Sequence, residues 1–155
     1  AGACFSPARC KEDPLVDVPS LLFVCIHNAG RSQMAAGFAR ALGGSAVRVS
    51  SAGTAPGDRV SGPAAESMTE VGIDITGEVP RLLTLGEAEA ADVVVTMGCG
   101  AECPMFPGIA YRDWQLPVQA GPSVQDVRPV RDDIHTRVQA LLAELGVRPI
   151  DSATR

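Results

Sequence analysis

Apolar positions along this chain switch between two periods. Leu21-Leu22-Phe23-Val24-Cys25 is an unbroken apolar run, as a strand buried in a parallel sheet requires. After a short polar stretch, Met34, Phe38 and Leu42 recur four apart on one helical face, and Gly43-Gly44 stops the helix. Val47-Arg48-Val49-Ser50-Ser51 alternates like a second strand. Ser61 and Pro63 open another helix, with Met68 and Val71 expected inward and an end at Gly72. Thr84-x-x-Glu87 reads as a capping box for a short helix. Asp92 to Met97 is a strongly β-branched third strand. A loop rich in Gly, Cys and Pro runs from Gly98 to Gly108, and Ile109-Ala110-Tyr111 is the expected fourth strand. The last helix places Val130, Ile134, Val138, Leu141 and Leu145 on one face and ends at Gly146.

Strands alternating with helices over short connections predict an α/β fold. We expect a single domain over residues 20–147, with a four-stranded parallel sheet and helices on both faces. Residues 1–19, punctuated by Pro7, Pro14 and Pro19, read as an irregular extension, and 148–155 as a tail. Ligands of such sheets sit beyond the C-terminal strand ends, where the winding direction reverses. The loops after the first and third strands would meet there.

Composition narrows the function classes. The chain has 155 residues, 46% hydrophobic and 20% charged, as in an ordinary globular domain. A net charge of −5 argues against a nucleic-acid binder. No apolar run approaches the ~20 residues of a membrane helix, and no signal peptide is visible. Five cysteines at irregular spacing (Cys4, Cys10, Cys25, Cys99 and Cys103) do not resemble a secreted disulfide framework. Reactive or buried thiols in a cytoplasmic protein fit better. Cys99-x3-Cys103 has no second Cys or His pair to complete a zinc site, so no metal is expected.

The chemistry concentrates in Cys25-Ile26-His27-Asn28-Ala29-Gly30-Arg31-Ser32. Cys25 ends a strand and Arg31 opens a helix six residues later. A loop wound between them points backbone N–H groups inward as an anion nest, and the helix dipole adds positive charge. The planar fork of Arg31 can meet two oxygens of a tetrahedral anion. The same surroundings favour thiolate over thiol at Cys25. Ser32 could donate to the sulfur. Asn28 could brace the loop from inside, and Gly30 would allow close backbone approach. A loop His such as His27 is more often exposed or structural than catalytic.

The segment Leu22 to Ala35 resembles the signature of arsenate reductases with the low-molecular-weight protein tyrosine phosphatase fold. The likeness continues at Ser51-Ala52-Gly53-Thr54, Val94 to Gly100, Cys103 to Gly108 and Arg112-Asp113-Trp114. The Gln33-Met34-Ala35 continuation is more like the reductases, since the phosphatases tend to carry Pro after the Ser. The resemblance implies that Cys25 attacks arsenic and that the loop backbone and Arg31 hold the arsenate oxygens. It also implies that Asp113 is a general acid on a loop facing the nucleophile. Arsenate would leave as arsenite, in arsenic detoxification.

Two departures matter. Thioredoxin-coupled relatives carry a second Cys just before the loop Arg, where this chain has Gly30. Some carry a Glu that helps bind potassium, where this chain has Ala36, so the potassium site does not carry over. The electron-donating thiol therefore has two candidate sources. One is a small external thiol such as mycothiol, with a mycoredoxin or glutaredoxin-like protein finishing the reduction. The other is an internal resolving Cys99 or Cys103, cleared by thioredoxin. No tightly bound cofactor is expected. The alternatives are a low-molecular-weight protein tyrosine phosphatase and a non-catalytic oxyanion-binding module.

Overall fold

The computed structural model describes residues 18–98, 108–116 and 121–147. The extension before residue 18, the tail after 147, and Cys4, Cys10, Cys99 and Cys103 lie outside these residues.

Four parallel strands form one sheet: β1 (Ser20–Cys25), β2 (Arg48–Gly53), β3 (Val93–Met97) and β4 (Tyr111–Trp114). Their order across the sheet is β2-β1-β3-β4, so the chain winds outward in both directions from β1. The switch point falls between the C-terminal ends of β1 and β3. Among the described residues, four α-helices cover the sheet: α1 (Arg31–Gly43), α2 (Gly62–Thr69), α3 (Leu85–Ala90) and α4 (Val124–Glu144).

The two faces are unequal. Leu21, Phe23 and Cys25 of β1 point into a large core with Met34 and Phe38 of α1, Met68 of α2, and Ile134, Val138 and Leu142 of α4. Leu22 and Val24 point the other way, into a smaller core with Ala52, Val94 and Ala88 of α3. The side-chain alternation of a strand sends neighbouring residues of β1 into different layers. Both layers are apolar, which is why the run 21–25 carries no polar residue.

Some expectations shift. The second strand runs to Gly53 rather than Ser51. Helix α2 stops at Thr69, and Val71 is 44% exposed rather than inward, because the chain turns through Gly72 at φ +83°. Thr84 accepts from the Glu87 backbone N–H as a cap should, while the Glu87 carboxylate pairs with Arg81. The fourth strand is Tyr111–Trp114, starting at the last residue of the apolar triplet that suggested it. Its anchor is Trp114, whose ring sits 5.9 Å from that of Phe23. Helix α4 begins well before Val130, at a reciprocal capping box between Ser123 and Asp126. Leu145 is only partly buried, and Leu142 takes a fully buried place beside Leu141.

Candidate active site

Cys25 is the last residue of β1, and its side chain is 6% exposed. The sulfur accepts a hydrogen bond from the Asn28 backbone N–H at 3.2 Å and lies 2.9 Å from Ser32 Oγ. Asn28 is fully buried with φ +52°, a left-handed conformation that Asn tolerates better than most residues. This turn is what folds the Asn28 N–H back onto the sulfur three residues earlier.

The Asn28 side chain is engaged through both its oxygen and its nitrogen. Its Nδ2 donates to Ser32 Oγ at 2.7 Å, and its Oδ1 accepts from the Arg81 backbone N–H at 2.9 Å. Gln33 Nε2 donates to the Asn28 carbonyl at 3.0 Å and to Oδ1 at 3.2 Å. Ser32 and Gln33 open α1, and both are buried.

Helix α1 starts with no side-chain cap and no acidic residue in its first turn. Its N–H groups and positive dipole end are left for an anion. Above them lies an open cavity of about 360 Å³, lined by Cys25, by the loop residues Ile26, His27, Ala29, Gly30 and Arg31, and by Ser61, Met97, Gly98 and Val127 among others. No carboxylate among the described residues pairs with Arg31. One cysteine, one guanidinium and the uncapped start of α1 thus border one small space. His27 is exposed on its rim, and Ile26 and Ala29 contribute backbone and apolar wall.

Gly30 borders the cavity, and a Cβ built there meets nothing within 4 Å. The tight approaches are at Gly53, where a Cβ would lie 2.6 Å from the Ile26 carbonyl oxygen, and at Gly98, where it would collide with the Arg31 guanidinium. One expectation needs correction. Asp113 sits within β4, not on a loop, and does not line the cavity among the described residues. Tyr111 packs with the smaller core and Trp114 with the larger. Alternation therefore sends Asp113 out on the Tyr111 side, opposite the face that holds Cys25. Its Oδ1 accepts from Thr96 Oγ1 at 2.9 Å and its Oδ2 from Gln115 Nε2 at 2.6 Å.

Sequence reasoning missed the bracing roles of Gln33, Gly53, Arg81 and Gly98. A glycine ending a strand opposite the loop was the available signal for Gly53 and Gly98. For a backbone N–H such as that of Arg81 there was none. Among the described residues, no three His, Cys, Asp or Glu side chains group as a metal site would need, and no helix is long and apolar enough to cross a membrane.

Comparison with known proteins adds a family. Residues 20–148 match the family described as low molecular weight phosphotyrosine protein phosphatase. The glutaredoxin arsenate reductase of Synechocystis sp. is 38% identical over 129 residues, 81% of this chain and 98% of that one. A solved arsenate reductase in the phosphate binding state superposes with a TM-score of 0.72 at 37% identity, covering 83% of this chain and 99% of its own. The thioredoxin-dependent arsenate reductase of Corynebacterium glutamicum gives a TM-score of 0.70, also at 37% identity and 83% of this chain, which spans 62% of that longer protein.

Proposed function

This chain belongs to the low molecular weight phosphotyrosine protein phosphatase family, and we propose that within it the protein is an arsenate reductase whose nucleophile is Cys25. One observation carries the reading. Cys25 faces an Arg31-walled oxyanion cavity in a chain whose 37–38% identical relatives bear arsenate reductase names. Residues 20–147 are the catalytic unit, and a reduced cytoplasmic thiol pool suits its chemistry.

In the first step, the Cys25 thiolate attacks arsenic while Arg31 and the loop N–H groups Ile26 to Ser32 hold the oxygens. The dihydrogen arsenate ion brings the two protons that leave with one oxygen as water. The product is a Cys25 sulfur–arsenic(V) adduct. No external acid is required by that balance. This matters because Asp113 points from the other face, and no carboxylate occurs between Trp114 and Gln125. In the second step, a second thiolate attacks the Cys25 sulfur. The sulfur–arsenic bond breaks with its electron pair staying on arsenic, which leaves as arsenite, and the two sulfurs become a disulfide. That thiol is mycothiol, later cleared by a redoxin, or Cys99 or Cys103, cleared by thioredoxin.

The test is NADPH consumption with arsenate in two mixtures, one with mycothiol and its redoxin, the other with thioredoxin and its reductase. Oxidation in one mixture identifies the donor. Oxidation in neither, with rapid aryl-phosphate hydrolysis, sinks the reductase reading. Cys25→Ser should be silent in every assay. Full turnover in both Cys99→Ala and Cys103→Ala would remove the internal relay.

A further inference from the structure

Gln33 touches neither the cavity nor the sulfur, yet its side chain is 1% exposed and tied twice to Asn28. Its other end is unusual. Gln33 Oε1 is buried with no hydrogen-bond partner. A buried acceptor left empty carries a penalty, and most such groups in folded proteins find a partner. Turning the amide over would not help, since it would set Oε1 against two oxygens, the Asn28 carbonyl and Oδ1, and leave both without this donor. The geometry keeps the two donated bonds and leaves the acceptor empty.

Those two bonds have a directional consequence. Asn28 Oδ1 receives Gln33 Nε2 and the Arg81 N–H together, so the Asn28 amide can face only one way. Its Nδ2 then donates to Ser32 Oγ. With that oxygen accepting, a Cys25 thiolate 2.9 Å away receives the single hydroxyl proton of Ser32. The Gln33 bond to the Asn28 carbonyl also braces the left-handed turn that aims the Asn28 N–H at the same sulfur. Of the described residues lining the cavity around Cys25, Arg31 and His27 carry the other titratable groups, and neither belongs to this chain of bonds.

We propose that Gln33 is a positioning residue for the nucleophile, which sets the direction of the two hydrogen bonds received by the Cys25 sulfur by locking Asn28. The proposal rests on Cys25 being the nucleophile. Its test reads thiol reactivity rather than arsenate turnover, so the two can fail separately.

The experiment is iodoacetamide alkylation of Cys25 as a function of pH, followed on the Cys25 peptide by mass spectrometry so that the other thiols do not interfere. Gln33→Met keeps the length and removes both the donor and the empty acceptor. We expect its alkylation profile to move to higher pH, with the rate on the acid side falling roughly threefold to tenfold, the equivalent of one ordinary hydrogen bond. In a Ser32→Ala background, Gln33→Met should cost clearly less than it does alone, because one of its two routes to the sulfur is gone. An unchanged profile for Gln33→Met in a cooperatively folded protein overturns the proposal, as does full additivity with Ser32→Ala. A second measurement needs no variant at Gln33. The Gln33 side-chain amide resonances of the parent protein should shift with the same pH midpoint as Cys25 alkylation, and lose that transition in Cys25→Ala. Resonances that stay fixed across the titration overturn it equally.

Discussion

The Arg31 guanidinium lies across the backbone of Gly98, in the space a β-carbon there would occupy. Gly98 also has φ +73°, so a side chain there would meet both backbone strain and the Arg31 guanidinium. The contact joins the helix that follows β1 to the end of β3, on either side of the switch point where the oxyanion cavity opens. Arg31 can swing away from a new methyl group, but only by leaving the place from which it walls the cavity.

Gly98→Ala should therefore weaken oxyanion binding more than it slows the thiol. The expected result is about a tenfold rise in the arsenate KM, or in the inhibition constant of phosphate, equivalent to about 1.4 kcal/mol. Left-handed strain adds roughly 1–2 kcal/mol of destabilisation, visible in thermal unfolding. Cys25 alkylation should change little. A variant with unaltered KM would show that Arg31 does not depend on this seat.

Asp113→Asn tests the correction to the sequence reading. The side chain accepts from Thr96 and Gln115 on the face away from Cys25, and an amide oxygen can keep one of those bonds. Turnover should stay within roughly twofold of the parent, with at most a small loss of stability. A general acid contributes roughly a hundredfold or more, so a fall of that size would restore Asp113 to the mechanism.

The contrast between Cys25 and Asp113 marks how far the sequence could be read. Strand, loop and helix around Cys25 are contiguous, so hydrophobic period and spacing place the thiol, Arg31 and Ser32 together without long-range information. The sheet order follows from the same alternation, because short crossovers leave few topologies. Asp113 lies 88 residues from Cys25, in an edge strand of four residues with polar positions at both middle places. There a shift of one residue exchanges the two faces, and the apolar triplet leading into it drew the strand too early. Gln33, Arg81 and Gly53 were hidden for another reason. Each acts through a backbone atom or a buried amide whose partner is decided only when the loop closes.

Acid should loosen the packing of α2 on α4. Glu70 follows α2 and accepts from Arg128 and Arg131 of α4. The Arg128 hydrogen bond, with lesser help from Arg131, holds the Glu70 carboxyl below its ordinary value. A depressed carboxylate stabilises the fold above its unfolded pKa, and that contribution disappears as pH falls through the lower folded value. The unfolding midpoint of the parent should thus drop more steeply than that of Glu70→Gln as pH is taken from about 5 to about 3. Parallel curves would show that this exposed cluster does not contribute. Added salt should shrink the difference.

Two glycines in contact with the loop should respond in opposite ways. At Gly53, a β-carbon would meet the Ile26 carbonyl oxygen at 2.6 Å, the Asn28 nitrogen at 2.9 Å and the Asn28 β-carbon at 3.0 Å. The first two are backbone atoms of the nest itself, and Gly53 is also bonded through its N–H to the Arg81 carbonyl, so neither side can yield cheaply. Gly53→Ala should cost roughly 1–3 kcal/mol and disturb the Asn28 turn, reducing both Cys25 alkylation and arsenate turnover. At Gly30, a β-carbon meets nothing within 4 Å, although the residue lines the cavity. Gly30→Ala should unfold within roughly 0.5 kcal/mol of the parent. Gly30→Cys should fold as well, placing a second thiol beside the cavity. If Gly53→Ala proves silent while Gly30→Ala abolishes activity, the loop is braced from the cavity side and not from β2.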